Sequence, residues 1–289
     1  MIQLASRKLS KDIEDVLNDL QKKVDHETLF NEKVLIAQQL WNSKGGATGK
    51  KAFRAIVDEL QKMCVFHGVC NYCEQSEASD IEHIHPKSFF PEFTFRWENY
   101  ILACKQCNTG YKLDKCFVID NHDESILINR GIEPSFKLHA LINPRVEDPN
   151  QFMIILPYSF KFELLPGLSK KDANRVRATL QILALNERDV LIEARKSAAK
   201  YYYHRMKLLQ DILATTSKEQ IDILLSPYDD LLDDSLSLFE LKDYLRNSFK
   251  EEITTYQHPS VWYSIKKIDS NTEPKWQLIF AAIPEALSW

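Results

Sequence analysis

Residues 70–112 read CNYCEQSEASDIEHIHPKSFFPEFTFRWENYILACKQCNTGYK, and what this stretch can hold together decides the fold. Cys70-x2-Cys73 and Cys104-x2-Cys107 form two pairs separated by 30 residues. Each pair can turn its two sulfurs onto one ion, and zinc takes four such soft ligands in a closed tetrahedral site that leaves no position for water or substrate. A structural Zn2+ at Cys70, Cys73, Cys104 and Cys107 is therefore expected. Unligated or redox-active thiols are the alternative, and the paired spacing argues against them. Cys64 and Cys116 stand outside the pairs and read as buried apolar residues.

Between the pairs, Ile81-Glu82-His83-Ile84-His85-Pro86-Lys87 reads as a short strand halted by proline. Alternation puts Asp80 and Glu82 on one face and His83 and His85 on the other. An imidazole that is neutral near pH 7 is a natural general base for activating water, and a neighbouring carboxylate suits a hard divalent cation. The segment from Trp97 through Asn99 to Cys104 reads as a second strand running into the second cysteine pair. A short helix then starts with Cys107-Asn108-Thr109-Gly110-Tyr111-Lys112.

The order Cys-x2-Cys, Glu-His-Ile-x-Pro-Lys, Asn-x4-Cys-x2-Cys-Asn-x3-Lys resembles the HNH (ββα-metal) endonuclease family in its zinc-bearing form. The resemblance implies His83 as general base, Glu82 and Asn108 as ligands of a catalytic Mg2+ or Mn2+, and Asn99 as the residue that braces the loop carrying the base. Glu82 stands where aspartate is commoner and Asn108 where histidine is commoner, which leaves the ligand set of that ion open. Four further candidates have equally plain structural readings: Asp80 as a support for the ion, His85 as a ligand or phosphate contact, and Lys87 and Lys112 as phosphate contacts.

A narrower likeness covers roughly residues 50–200. It adds Leu141-Ile142-Asn143-Pro144, Glu147-Asp148-Pro149, Thr179-Leu180-x-x-Leu183-x-Leu185-Asn186 and Leu191-Ile192-x-x-Arg195, and is similar to the HNH subunit of Septu-type and retron-associated anti-phage systems. That resemblance implies an ABC-type ATPase partner, and possible association with a retron or other defence component.

Outward from this centre the chain is ordinary. Its 289 residues are 44% hydrophobic with a net charge of −4, so any nucleic-acid binding must rest on local positive charge. No run approaches the roughly 18–20 apolar residues of a membrane span, and the first residues lack the apolar core of a secretory signal, so a cytoplasmic (bacterial) protein is expected. Helical spacing predicts helices over about 5–25, 30–41 and 51–66. The intervening KGGATGKK misses the P-loop pattern, since Lys51 stands where Ser or Thr is needed, and reads as a linker. Residues 116–132 read as irregular, 152–156 and 161–165 as a hairpin, and most of the remainder from Ser169 as helix.

Charge divides unevenly there: residues 168–207 carry ten Lys/Arg against four Asp/Glu, and residues 219–252 three against ten. Tyr201-Tyr202-Tyr203 is read as core packing ahead of base stacking. Asp229-Asp230-x-x-Asp233-Asp234 reads as a solvated or partner-facing surface, and the apolar segment 276–289 either closes the helical part or docks on a partner.

The expected architecture is mainly α with a small embedded ββα-metal module, α+β overall, in three parts: N-terminal helices (1–67), the zinc-bearing module (68–130) and a mostly helical remainder (131–289). The expected function is metal-dependent hydrolysis of nucleic acid, DNA favoured. The alternatives are the same centre acting on RNA or tRNA, and a zinc-stabilised binding module without catalysis, which would have no need for Glu82, His83, Asn99 and Asn108 together.

Overall fold

The computed structural model describes residues 1–64, 68–228 and 235–289, so the Asp229–Asp234 acidic stretch lies outside the described residues. The chain is α+β, mostly helical, with three two-stranded sheets, and divides into two compact units: residues 1–154 with 161–191, and residues 155–160 with 192–289. No helix of the described residues is long and apolar enough to cross a membrane.

The first unit opens with α1 (Lys11–Asp25), α2 (Phe30–Ser43) and α3 (Ala47–Gln61). Helix α1 starts later than its apolar spacing predicts, because Leu9 is buried from the extended chain ahead of the helix. Helix α2 ends where Lys44, Gly45 and Gly46 take positive φ values of 54°, 67° and 90°. This left-handed run folds back so tightly that a Cβ on Gly49 would lie 1.5 Å from the Lys44 carbonyl oxygen. The glycines of KGGATGKK therefore serve a close helix–helix turn. Gly49→Ala is expected to destabilise the unit by about 1–3 kcal/mol, the usual range for forced overpacking, as read from urea unfolding.

The module follows within the same unit. Strand β1 (Asp80–His83) pairs antiparallel with β2 (Tyr100–Ala103), setting Glu82 opposite Ile101 and His83 opposite Tyr100. A wide π-type helical turn, Gln106–Lys112, completes the ββα unit. The N-terminal helices and the module, expected as separate domains, share this unit with residues 131–154 and 161–191.

Residues 116–132, expected to be irregular, contain a hairpin: β3 (Cys116–Ile119) pairs with β4 (Ser125–Ile128). The cause is local. The Asp120 carboxylate accepts hydrogen bonds from the backbone of His122 and Glu124, each 2.8 Å, and closes the turn between two apolar runs. A second hairpin, β5 (Met153–Ile155) with β6 (Phe162–Leu164), falls where predicted, and α4 (Lys170–Leu183) follows.

Residues 143–147 form a bracket on α4. Arg175 makes two bonds to Glu147, 2.5 and 2.7 Å, Glu147 accepts from the Asn143 backbone, and Thr179 accepts from the Ile142 backbone at 2.9 Å. Arg145 extends the bracket to the module, donating to the Tyr100 carbonyl at 2.8 Å with its guanidinium 4.4 Å over the Trp97 ring.

The second unit is helical. It contains α5 (Asp189–Ala214) from Ile192 onward, α6 (Lys218–Leu225), α7 (Leu238–Thr255), α8 (Pro259–Ser264), α9 (Ser270–Thr272) and α10 (Pro274–Ala282). Tyr202 is buried beside Trp262 and Tyr201 stacks on Tyr256 at 3.6 Å, so the tyrosine run is packing material. Trp276, Ile279, Phe280 and Ile283 are buried, and the terminal apolar segment closes this unit.

Candidate active site

The four cysteine sulfurs of Cys70, Cys73, Cys104 and Cys107 are buried and lie within 4.8 Å of one another. Four thiolates about 2.3 Å from a tetrahedral zinc stand roughly 3.8 Å apart. The Cys73–Cys104 separation of 3.9 Å matches that edge. The donor set therefore fits a closed Zn2+ site. The Cys107 backbone N–H donates to Cys104 Sγ, and Arg188, just ahead of α5, places Nη1 3.2 Å from Cys107 Sγ. A guanidinium there offsets the excess negative charge of a four-thiolate zinc centre. Cys116 is buried with Phe89, Phe90 and Val118, as an apolar residue should be, and Cys64 is half-buried.

Beside this cage, a cleft of about 450 Å3 is lined by Glu82, His83, Lys87, Asn108 and Lys112 from the module. Gln38, Trp41 and Asn42 of α2, with Asp114 and Arg130, complete it. Strand alternation sets its chemistry. Asp80 and Glu82 face the helical turn, where Asn108 Nδ2 donates to Asp80 Oδ2 at 3.1 Å and Lys112 Nζ lies 2.5 Å from Glu82 Oε1. One helical turn and two strand residues cover similar axial lengths, roughly 5–7 Å, so both pairs form at once.

Lys112 is buried and also donates to the His83 carbonyl at 2.8 Å. It is an internal strut between strand and helix, where a freely exposed phosphate contact was expected. Burial pushes the Glu82 carboxyl up from its ordinary value, against the pull of Lys112.

His83, on the other face of β1, is buried, with Nε2 3.0 Å from the Thr94 carbonyl. A carbonyl only accepts, so Nε2 carries the proton and Nδ1 presents a lone pair. Burial, and then the charge of Lys87, hold the imidazole well below its ordinary pKa range, so it is neutral at pH 7. Trp41 packs edge-on against it, ring centroids 4.2 Å apart.

Asn99 ties the loop after β1 at several points. Its Oδ1 accepts from the His85 backbone at 2.7 Å, and its Nδ2 donates to the carbonyls of His85 at 3.0 Å and Phe93 at 2.9 Å.

His85 departs from the expected face. Strand β1 ends at His83, and the His85 ring packs among Phe90, Phe93 and His139, away from the cleft. His139 is buried with both ring nitrogens lacking a hydrogen-bond partner. Burial, with the charges of His85, Lys112 and Arg175, holds it well below the ordinary histidine range. A histidine depressed in the folded state binds its proton more readily when unfolded, so folding stability is lost as pH falls below about 6.5. Between pH 6.5 and 5 the wild type is expected to lose up to about 1.4 kcal/mol per pH unit from this residue. His139→Phe should flatten that limb in denaturant titrations.

Trp41, Gln38, Asn42, Asp114 and Arg130 were missed in the sequence. Trp41 ends an ordinary amphipathic helix, and nothing local marks it as facing a site.

Residues 70–112, which hold the β-strand pair, the helical turn, the braced histidine loop and the four-cysteine cage, match the HNH endonuclease family. Over 167 residues, 58% of this chain and 54% of the relative, the chain is 25% identical to Septu protein PtuB of Bacillus thuringiensis. The chain thus spans about half the length of that curated relative. No solved structure matches.

Proposed function

We propose that this chain is a metal-dependent HNH endonuclease hydrolysing phosphodiester bonds of nucleic acid, DNA favoured. In this reading it is the effector of a Septu-type defence complex, working with an ABC-type ATPase. The observation that carries the chemistry is His83 on the cleft wall, with Nε2–H given to the Thr94 carbonyl and Nδ1 left to accept. His83 Nδ1 takes the proton of a water aimed at phosphorus, Asn99 keeps the loop around the base in place, and Lys87 offers its ammonium to phosphate oxygens.

The oxygen donors fit a hard divalent ion held sparsely by protein. Glu82 and Asn108 Oδ1 would hold it, with Asp80 orienting Asn108. Glu82 already faces the Lys112 ammonium, so an ion held there would share that carboxylate with Lys112, a sparse protein donor set of the kind that suits Mg2+ or Mn2+. When bound, it supplies charge stabilisation to the phosphate and the leaving 3′-oxygen.

A digestion panel of plasmid, single-stranded DNA and tRNA with Mg2+ or Mn2+, with and without a co-expressed neighbouring ATPase, tests the reading. Products ending in 5′-phosphate and 3′-hydroxyl are expected, from DNA first. Intact substrate in every lane overturns it.

A further inference from the structure

The loop after α2 carries a lysine whose charge has no counterpart. Lys44 Nζ lies 3.0 Å from the Trp41 ring centroid and 4.5 Å from that of Phe53. It is half-buried, and no carboxylate of the described residues comes within salt-bridge distance. Lys87 approaches the same Trp41 ring at 5.8 Å and makes no salt bridge, although the charges of Glu82 and Asp114 act on it. The other cations of the active-site cleft are paired, Lys112 with Glu82 and Arg130 with Asp114.

Trp41, Ile81 and Asn108 also line a second cleft, of about 830 Å3, together with Lys44, Lys50, Arg54, Asp58 and Asp80. Trp41 thus borders both clefts, with Lys44 lining the second and Lys87 lining the first, neither ammonium in a salt bridge.

Half-burying two like charges together is unfavourable unless an anion arrives between them. Burial, and then the charge of Lys87, pull the Lys44 ammonium down to about 7. The sharp turn at Gly45, Gly46 and Gly49 is what sets Lys44 there.

We propose that Lys44 and Lys87 clamp, across Trp41, the backbone phosphate neighbouring the one attacked at His83, so that the nucleic-acid strand runs over Trp41 from the active-site cleft into the second cleft. The ligand is a phosphodiester strand, DNA or RNA, held through its charge and without base identity. The inference rests on the nuclease reading above for the position of the scissile phosphate.

The test is binding of fluorescent single-stranded DNA and RNA dodecamers to full-length His83→Asn protein across a salt series, with Lys44→Met and Lys44→Arg added. Each phosphate contact to a single strand contributes about 0.7 to the slope of log K against log salt. Lys44→Met should lower that slope by about 0.7 and weaken binding of both strands about tenfold, while Lys44→Arg keeps the slope. Thermal melting of Lys44→Met should be no lower than that of the parent, since a desolvated charge is removed from two aromatic faces. An unchanged slope in Lys44→Met, or no strand binding by the parent protein, overturns the clamp. If strands bind with the Lys44-dependent slope but wild-type protein never cuts them, the nuclease reading fails and the clamp stands. If the wild type cuts and Lys44 does not affect the slope, only the clamp fails.

Discussion

His83→Ala is expected to lower nucleic-acid cleavage by about 10²–10⁴-fold, the range a positioned general base contributes, while the zinc content and melting behaviour of the protein change little. His83 is the imidazole on the cleft wall, its Nε2–H is committed to the Thr94 carbonyl, and the zinc cage draws on other residues. Alanine removes the acceptor lone pair and leaves the Asn99 bonds to the loop untouched. The measurement is initial cleavage rate at saturating Mg2+ or Mn2+, paired with metal analysis of the same preparation. Wild-type rates from a zinc-replete His83→Ala protein would remove His83 from the chemistry. Asn99→Ala should behave differently, losing activity together with stability, because its hydrogen bonds are structural.

The second large effect is on the cage. Purified protein should carry one zinc per chain, and Cys104→Ser or exhaustive chelation should unfold the module. Structural zinc binding in small Cys-ligated sites is worth about 10–16 kcal/mol of apparent free energy at pH 7, as much as the whole stability of an ordinary domain. Cys104 directly follows β2, and Cys107 lies inside the helical turn that presents Asn108 and Lys112. Loss of the ion should therefore abolish cleavage through loss of the fold, visible as a lost melting transition and as protease sensitivity within residues 70–112. A chelated protein that keeps its transition would show that apolar packing alone holds the module.

Much of this was legible in the sequence, for a physical reason. Metal cages and ββα modules are encoded by residues close in the chain, so the Cys-x2-Cys spacing and the Glu-His and Asn positions carry their meaning locally. What was not legible depends on distant chain. Trp41 reads as one apolar position among several in an amphipathic helix, and its contact with His83 joins α2 to a strand far along the chain. The sequence offers Lys112 as a phosphate contact because its partner, Glu82, lies 30 residues earlier and meets it only through the strand–helix match. His85 was assigned the face of His83 on the assumption that the strand ran through it, whereas strand pairing stops at His83 and the chain turns toward Asn99. The β3–β4 hairpin escaped because its turn is closed by an aspartate side chain without the glycine that flags most tight turns.

The paired contacts Asp80–Asn108 and Glu82–Lys112 also fix the register of β1, since a slipped strand would lose both. A one-residue slip of β1 against β2 would exchange the two faces of the strand, turning Ile81 and His83 toward the helical turn and stranding the Lys112 ammonium in an apolar interior. Such a misaligned module would bury an unmatched charge, so the error is penalised before the catalytic face is complete. Positions 80 with 108, and 82 with 112, should accordingly tolerate change only as couples. A designer altering this strand–helix seam would have to alter them two at a time.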